Sequence, residues 1–149
     1  MRSDQLIIDL FQRFCWLDEG LQARLRDKGW PAVNRTQSMV MTNVVSGTVR
    51  PAEIARNLGI SRQAIHSTLA QMVELGMIIL DVDLHDRRHL IVSLTDRGAR
   101  MRQDAQLAMD ALSTQIAEKI GQDRFETMLV ALQADWGANL EPENVRALR

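Results

Sequence analysis

Apolar residues recur at helical spacing over most of this chain, and the interruptions mark where helices stop. From Asp4 to about Lys28 the pattern runs through Leu6, Ile7, Leu10, Phe11, Phe14, Leu17, Leu21 and Leu25, with Ile8, Cys15 and Trp16 widening the stripe. So broad a stripe exceeds what one small core needs, so part of it is expected to meet a second surface, most simply a partner subunit. Gly29, Trp30 and Pro31 end this helix, and Asn34 or Thr36 can cap a second over roughly Gln37 to Ser46, closed by Gly47.

Arg50-Pro51-Ala52-Glu53 opens a short helix, with Pro at its first position and Glu53 at the positive end of the dipole. Ile54 and Leu58 face inward, and Gly59 permits a sharp turn into Ser61, a good N-cap. Ser61 to Gly76, SRQAIHSTLAQMVELG, then reads as a helix with two faces. Ile65, Leu69, Met72 and Val73 form its apolar stripe and leave Arg62, Gln63, His66, Ser67 and Ala70 outside. Two helices joined by so short a turn form a helix-turn-helix.

The period then changes. Met77-Ile78-Ile79-Leu80 and Leu90-Ile91-Val92-Ser93-Leu94 are strand-like, and the charged stretch DVDLHDRRH between them makes a hairpin, or wing, directly after the helix. Thr95 can cap the next helix, Asp96 suits its first turn, and Gly98 allows close packing at its base. From Arg97 to about Ile120 apolar positions include Met101, Ala105, Ala108, Met109, Leu112 and Ile116. Gly121 breaks this helix. Asp123 starts another, striped by Phe125, Met128, Leu129, Leu132 and Trp136 and ended by Leu140 and Pro142. The expected fold is mainly α with a small β hairpin, a winged helix-turn-helix flanked by N- and C-terminal dimerisation helices. Residues 1–149 form a single domain in this reading, with 33–98 as the winged unit and 1–30 and 99–140 as the dimerisation region.

Composition adds constraints. With 149 residues, 46% hydrophobic, and formal net charge −1, the whole-protein field will not draw the chain onto a polyanion, so any nucleic-acid binding rests on local charge. Lys occurs only at Lys28 and Lys119, and the remaining basic residues are Arg, suited to planar bidentate contacts. Aromatic residues are 4% while Met numbers 8, which makes an adaptable, thioether-rich interior. Asp4 and Asp9 interrupt the first apolar run, unlike a secretory leader, and no window approaches the roughly 18 apolar residues of a membrane span. One Cys excludes an internal disulfide framework. A cytoplasmic protein without membrane attachment is the expectation.

With wing and helix-turn-helix assembled, Asp86-Arg87-Arg88 through Val92, Leu94, Thr95 and Gly98 give D-R-R-x-x-x-V-x-L-T-x-x-G, and the chain resembles the multiple-antibiotic-resistance regulator (MarR) family over its whole length. The resemblance implies a homodimeric transcription factor whose terminal helices interlock. Its recognition helices would enter successive major grooves of an inverted-repeat DNA, and its wings would place an Arg in the minor groove. By position, Ser61, Arg62, Gln63, His66 and Ser67 match the groove-facing residues, Arg87 and Arg88 the wing arginines, and Asp86 the acid that orients one of them. Leu84, Asp81 and Ser67 stand where the family often has Pro, a basic residue and Arg, departures that lower phosphate attraction.

Many members release DNA, usually as repressors, when a small phenolic or lipophilic ligand binds between dimer helices and winged unit. The family places that cavity near Phe11, Cys15, Trp16, Trp30 and Met39. Cys15 otherwise raises an oxidant-sensing repressor of the same fold, against which stand the absence of Tyr and of an evident neighbouring cation. A winged-helix protein-interaction module with weak DNA binding is a further alternative. Asp81, Asp83, His85, Asp86 and His89 read as a solvated charged loop and not a metal site, since a hairpin tip lacks a supporting shell. No cofactor is implied, and no side-chain set has a catalytic arrangement, so an enzyme is not expected.

Overall fold

In a computed structural model that describes residues 4–139, the chain forms eight elements: α1 (Gln5–Asp27), α2 (Arg35–Val45), α3 (Pro51–Leu58), α4 (Arg62–Glu74), β1 (Ile78–Val82), β2 (Leu90–Leu94), α5 (Asp96–Ile120) and α6 (Gln122–Gln133). It divides into two compact units, one through Leu112 and one from Ser113, with α5 running from the first into the second. None of the described helices is long and apolar enough to cross a membrane.

The first unit is built on α2, α3, α4 and the wing. Asn34 caps α2 through a reciprocal box: its side chain accepts from the Gln37 amide while the Gln37 side chain accepts from the Asn34 amide. Gln37 is buried, and its Nε2 donates to Gln71 Oε1 at 3.2 Å, so one side chain both starts α2 and ties it to α4. Ile54 from α3, Ile65, Leu69 and Met72 from α4, and Met77, Ile78 and Val92 from the wing close the core with Val40 and Leu25. Gly59 ends α3 in the left-handed region at φ 64°, and the Ser61 side chain then accepts from the Ala64 amide at 3.1 Å. This turn sets α4 against α3 as a helix-turn-helix.

β1 and β2 pair antiparallel with Ile78 opposite Leu94 and Val82 opposite Leu90. Val49 extends the ladder, its carbonyl accepting from the Val92 amide at 2.8 Å, so the segment before α3 is stitched to the wing. The wing continues into α5 through one dense junction. The Thr95 hydroxyl donates to the Gly76 carbonyl at 2.6 Å and accepts from the Gly98 amide at 3.0 Å, which caps α5. A Cβ on Gly98 would penetrate the Met77 carbonyl oxygen. The approach is backbone on backbone and has no side chain that could move aside.

Several boundaries differ from the sequence expectation. Val73 is exposed, and Thr68 takes its place on the buried stripe of α4, because the helix presents positions 65, 68, 69 and 72 to the core. β1 begins and ends later than Met77–Leu80, taking in Asp81 and Val82, since pairing with β2 continues beyond the apolar run. α2 begins at Arg35 because Asn34, not Thr36, is its cap. In the second unit α6 ends at Gln133, and Trp136 lies past it with its indole donating to the Ala131 carbonyl at 2.8 Å. Leu140 and Pro142 lie outside the described residues.

Replacing Gly98 with Ala should destabilise the protein by roughly 1–3 kcal/mol, the usual range for forcing extra volume into a packed site. Urea denaturation midpoints check this; an unchanged midpoint would contradict the close approach of α5 to Met77.

Candidate nucleic-acid interface

Burial of Ile65, Thr68, Leu69 and Met72 dictates what α4 shows to solvent: Arg62, Gln63, His66, Ser67 and Ala70 are all exposed. Ser61 precedes them, and although its oxygen is engaged as a cap, its O–H proton is available to donate. The five residues expected to face a groove are therefore side by side on one free surface. Arg62 and Gln63 carry the donor geometries that read guanine and adenine edges.

The wing is organised by two carboxylates. Asp86 accepts from Arg88 three times, from its backbone amide at 3.2 Å and from Nε and Nη2 at 3.0 Å each, and His89 Nε2 lies 3.5 Å from its other side. The Arg88 hydrogen bonds hold the Asp86 carboxyl below its ordinary value and raise Arg88 in turn. Arg88 remains 85% exposed as a side chain, so it is oriented without being covered. Arg87 is exposed and makes no hydrogen bond or ion pair among the described residues. Asp86 thus selects Arg88, of the two, for a fixed direction.

Asp83 was expected to belong to a solvated loop, and the structure corrects this. It is buried, accepts from the His85 amide at 2.9 Å and from Arg50 Nη2 at 3.0 Å, and its own amide donates to the His89 carbonyl. The His85 amide, then Arg50, hold its carboxyl below the ordinary range. Arg50 stands just before α3, so the pair fastens the start of the wing loop to the helix-turn-helix. The sequence offered no signal for this pairing, because the partners are 33 positions apart. Among the described residues no group of three or more His, Cys, Asp or Glu is arranged to hold a metal.

Between α3, the start of α4 and the wing loop lies a cleft of about 490 Å³ whose walls include Arg50, Arg56, Arg62, His66, Arg88 and His89. A second cavity, of about 540 Å³, lies between α1, α2 and α5, lined by Phe14, Leu17, Leu21, Met39, Met101 and Met109 among others. Of the residues expected around a ligand cavity, Met39 lines this one. Phe11 and Trp16 are exposed on α1, Cys15 is half-buried, and Trp30 packs on the core with its indole donating to Asp104 Oδ2 at 2.7 Å. Arg35, ion-paired to Asp18 at 3.0 Å, is held above its ordinary range chiefly by that bond, with burial opposing. Arg35 also lies over the Phe14 ring at 5.5 Å.

A family model described as "MarR family" matches residues 33–89, the stretch from the start of α2 through the wing tip. Over that stretch the chain is similar to the helix-turn-helix and wing of the MarR family. CouR of Rhodococcus jostii RHA1, solved bound to p-coumaroyl-CoA, is similar at 21% identity and TM-score 0.71, over 93% of this chain and 97% of that one. CouR bound to a 23-mer DNA duplex is similar at 22% identity and TM-score 0.69, over 87% and 91%. A MarR-family transcriptional regulator from Rhodococcus sp. RHA1 is similar at 20% identity and TM-score 0.69, over 89% and 93%. No curated protein matches the chain. At these identities the likeness establishes a shared fold over most of the chain.

The depressed carboxyl of Asp83 contributes stability that is fully present above its unfolded value, near 3.8, and is lost as pH falls through the lower folded value. Asp83→Asn should therefore be less stable than the parent at pH 7, with the gap closing under acid conditions below that value. Urea titrations from neutral pH downward read this directly, and a gap independent of pH would refute the ionic anchoring of the wing.

Proposed function

We propose that the protein is a homodimeric DNA-binding transcriptional regulator, a repressor released from a palindromic operator by a small lipophilic or phenolic ligand. The observation that carries this reading is the pairing of a wholly exposed polar face on α4 with a wing arginine oriented by Asp86. In it, Arg62, Gln63 and His66 reach base edges in the major groove, Ser61 and Ser67 donate to the backbone, and Arg88 enters the adjacent minor groove with Arg87 beside it. Preorganisation matters because Arg88 then loses less rotamer freedom on binding.

Exposed apolar surface supports the dimer. On α1, Leu6, Ile7 and Phe11 are 58%, 70% and 59% exposed, and on α6 Val130 and Leu132 are 69% and 49% exposed. Helical faces of this kind are stable when a second chain covers them. The cavity between α1, α2 and α5 supports an effector: its walls are largely aliphatic and thioether, and it adjoins both the winged unit and the base of α5. CouR has been solved with both a ligand and DNA, as a regulator of this kind requires. A ligand wedged there would change the separation of two recognition helices that must sit about 34 Å apart, and it acts only through unequal affinity for the two separations.

Sedimentation should report a dimer that binds one inverted-repeat duplex, selected from a random pool, with affinity falling steeply as salt rises. Arg88→Ala should weaken that binding about tenfold or more. A lone subunit in solution, or an unaltered affinity in Arg88→Ala, would overturn the reading. For the effector, Ala105→Phe fills the cavity from α5 and should leave DNA affinity intact while abolishing release by any phenolic ligand that releases the parent. Release at an unchanged ligand concentration would exclude this cavity.

A further inference from the structure

The cleft between α3, α4 and the wing loop has walls of unusual charge for a chain of formal net charge −1. Arg50 and Arg56 come from α3 and the residue before it, Arg62 and His66 from α4, and Arg88 and His89 from the wing, while Glu53 is the one acid among the lining residues. Neither Arg56 nor Arg62 has an ion pair or hydrogen bond to another side chain among the described residues. Arg50 spends Nη2 on Asp83 and keeps its other donors. Four guanidinium groups held around one open cleft repel each other, and Glu53 supplies a single negative charge against them.

Geometry limits what can fill the cleft. On a duplex, a helix in one major groove and a wing in the neighbouring minor groove straddle a single sugar–phosphate strand, because one strand is all that separates two adjacent grooves. The surface between α4 and the wing must face that strand, and in this protein that surface is the cleft.

We propose that the cleft is a phosphodiester site that clamps the strand between the two grooves, with Arg56, together with Arg50, gripping phosphates that neither the recognition face nor the wing tip reaches. The inference rests on the DNA-binding reading above and adds a contact to it from α3. Arg50 has a double role in this arrangement: its bond to Asp83 sets the wing, and its remaining donors meet the strand whose position the wing defines. Phosphate contacts fix register without reading sequence. Arg56 therefore contributes affinity and salt dependence, and Arg62 contributes base preference.

The test uses the full-length protein with a duplex selected from a random pool and an unrelated duplex of equal length. In Arg56→Gln the slope of log affinity against log salt should shrink by about 0.9, as for one lost phosphate contact, and affinity should fall by a similar factor on both duplexes. Arg56→Lys should restore most of the slope, since a point charge also holds phosphate. Replacing the phosphates between half-site and flank by uncharged methylphosphonates should weaken the parent and leave Arg56→Gln less affected. A parent-like slope in Arg56→Gln, or a changed base preference with the slope intact, would overturn the phosphate clamp while leaving DNA binding standing. Failure of the parent itself to bind either duplex would overturn both.

Discussion

The recognition helix, the wing and the long helix α5 all meet at one junction, where the chain from Thr95 to Gly98 lies against Leu75 to Met77. Four hydrogen bonds converge there: the Thr95 hydroxyl to the Gly76 carbonyl, the Gly98 amide to that hydroxyl, the Thr95 amide to the Met77 carbonyl, and Arg97 Nη1 to the Leu75 carbonyl. Together they satisfy carbonyls at the end of α4 and amides at the start of α5, groups that would otherwise be orphaned at helix termini. Glycine at position 98 is what lets the two backbones approach this closely. Because α4 ends where α5 begins, a rotation of α5 cannot be absorbed by a slack loop. It is passed to the helix that would read DNA.

That rigid corner gives the apolar cavity its mechanical meaning. Its walls come from α1, α2 and α5, with Met101 and Ala105 lying within the first three turns of α5 after the junction. A second tie, from the Trp30 indole to Asp104, crosses between the α1–α2 connection and the same stretch of α5. Under the proposed mechanism a guest in the cavity would push on a helix pinned at both Asp104 and Thr95. Packed elements switch between discrete arrangements more readily than they deform, so a small displacement here can be expressed as a change of recognition-helix position. Methionine-rich walls suit this role, being able to repack without a large energetic cost.

Much of this was legible in sequence where the physics is local. The Thr95 cap, the Gly98 contact, the Gly59 turn and the exposed face of α4 follow from capping chemistry, glycine conformation and a 3.6-residue period, and the structure has them where those rules put them. What the sequence hid depends on distant partners. Asp83 looked like one more charge in a charged loop, and only the fold brings Arg50 to it. Arg56 carries no signal in the sequence, because only the fold brings the wing and α4 beside it. Val73 looked apolar and hence buried, yet the helix spends its core positions on Thr68 and Leu69 instead.

The charge distribution follows from the same division of labour. A duplex attracts any cationic surface, so a protein that must discriminate gains by confining positive charge to where the correct geometry uses it. Here two of the arginines near the interface are each directed by a neighbour: Arg88 by Asp86, Arg50 by Asp83, and both acids lie in the wing itself. Each acid lowers the long-range pull of the wing while fixing the direction of one guanidinium. Under the proposed reading these two acids would act as positioning groups. Non-specific attraction is weakened more than a correctly seated contact, because a fixed arginine keeps its full hydrogen bonds only when the strand arrives at the angle the wing defines.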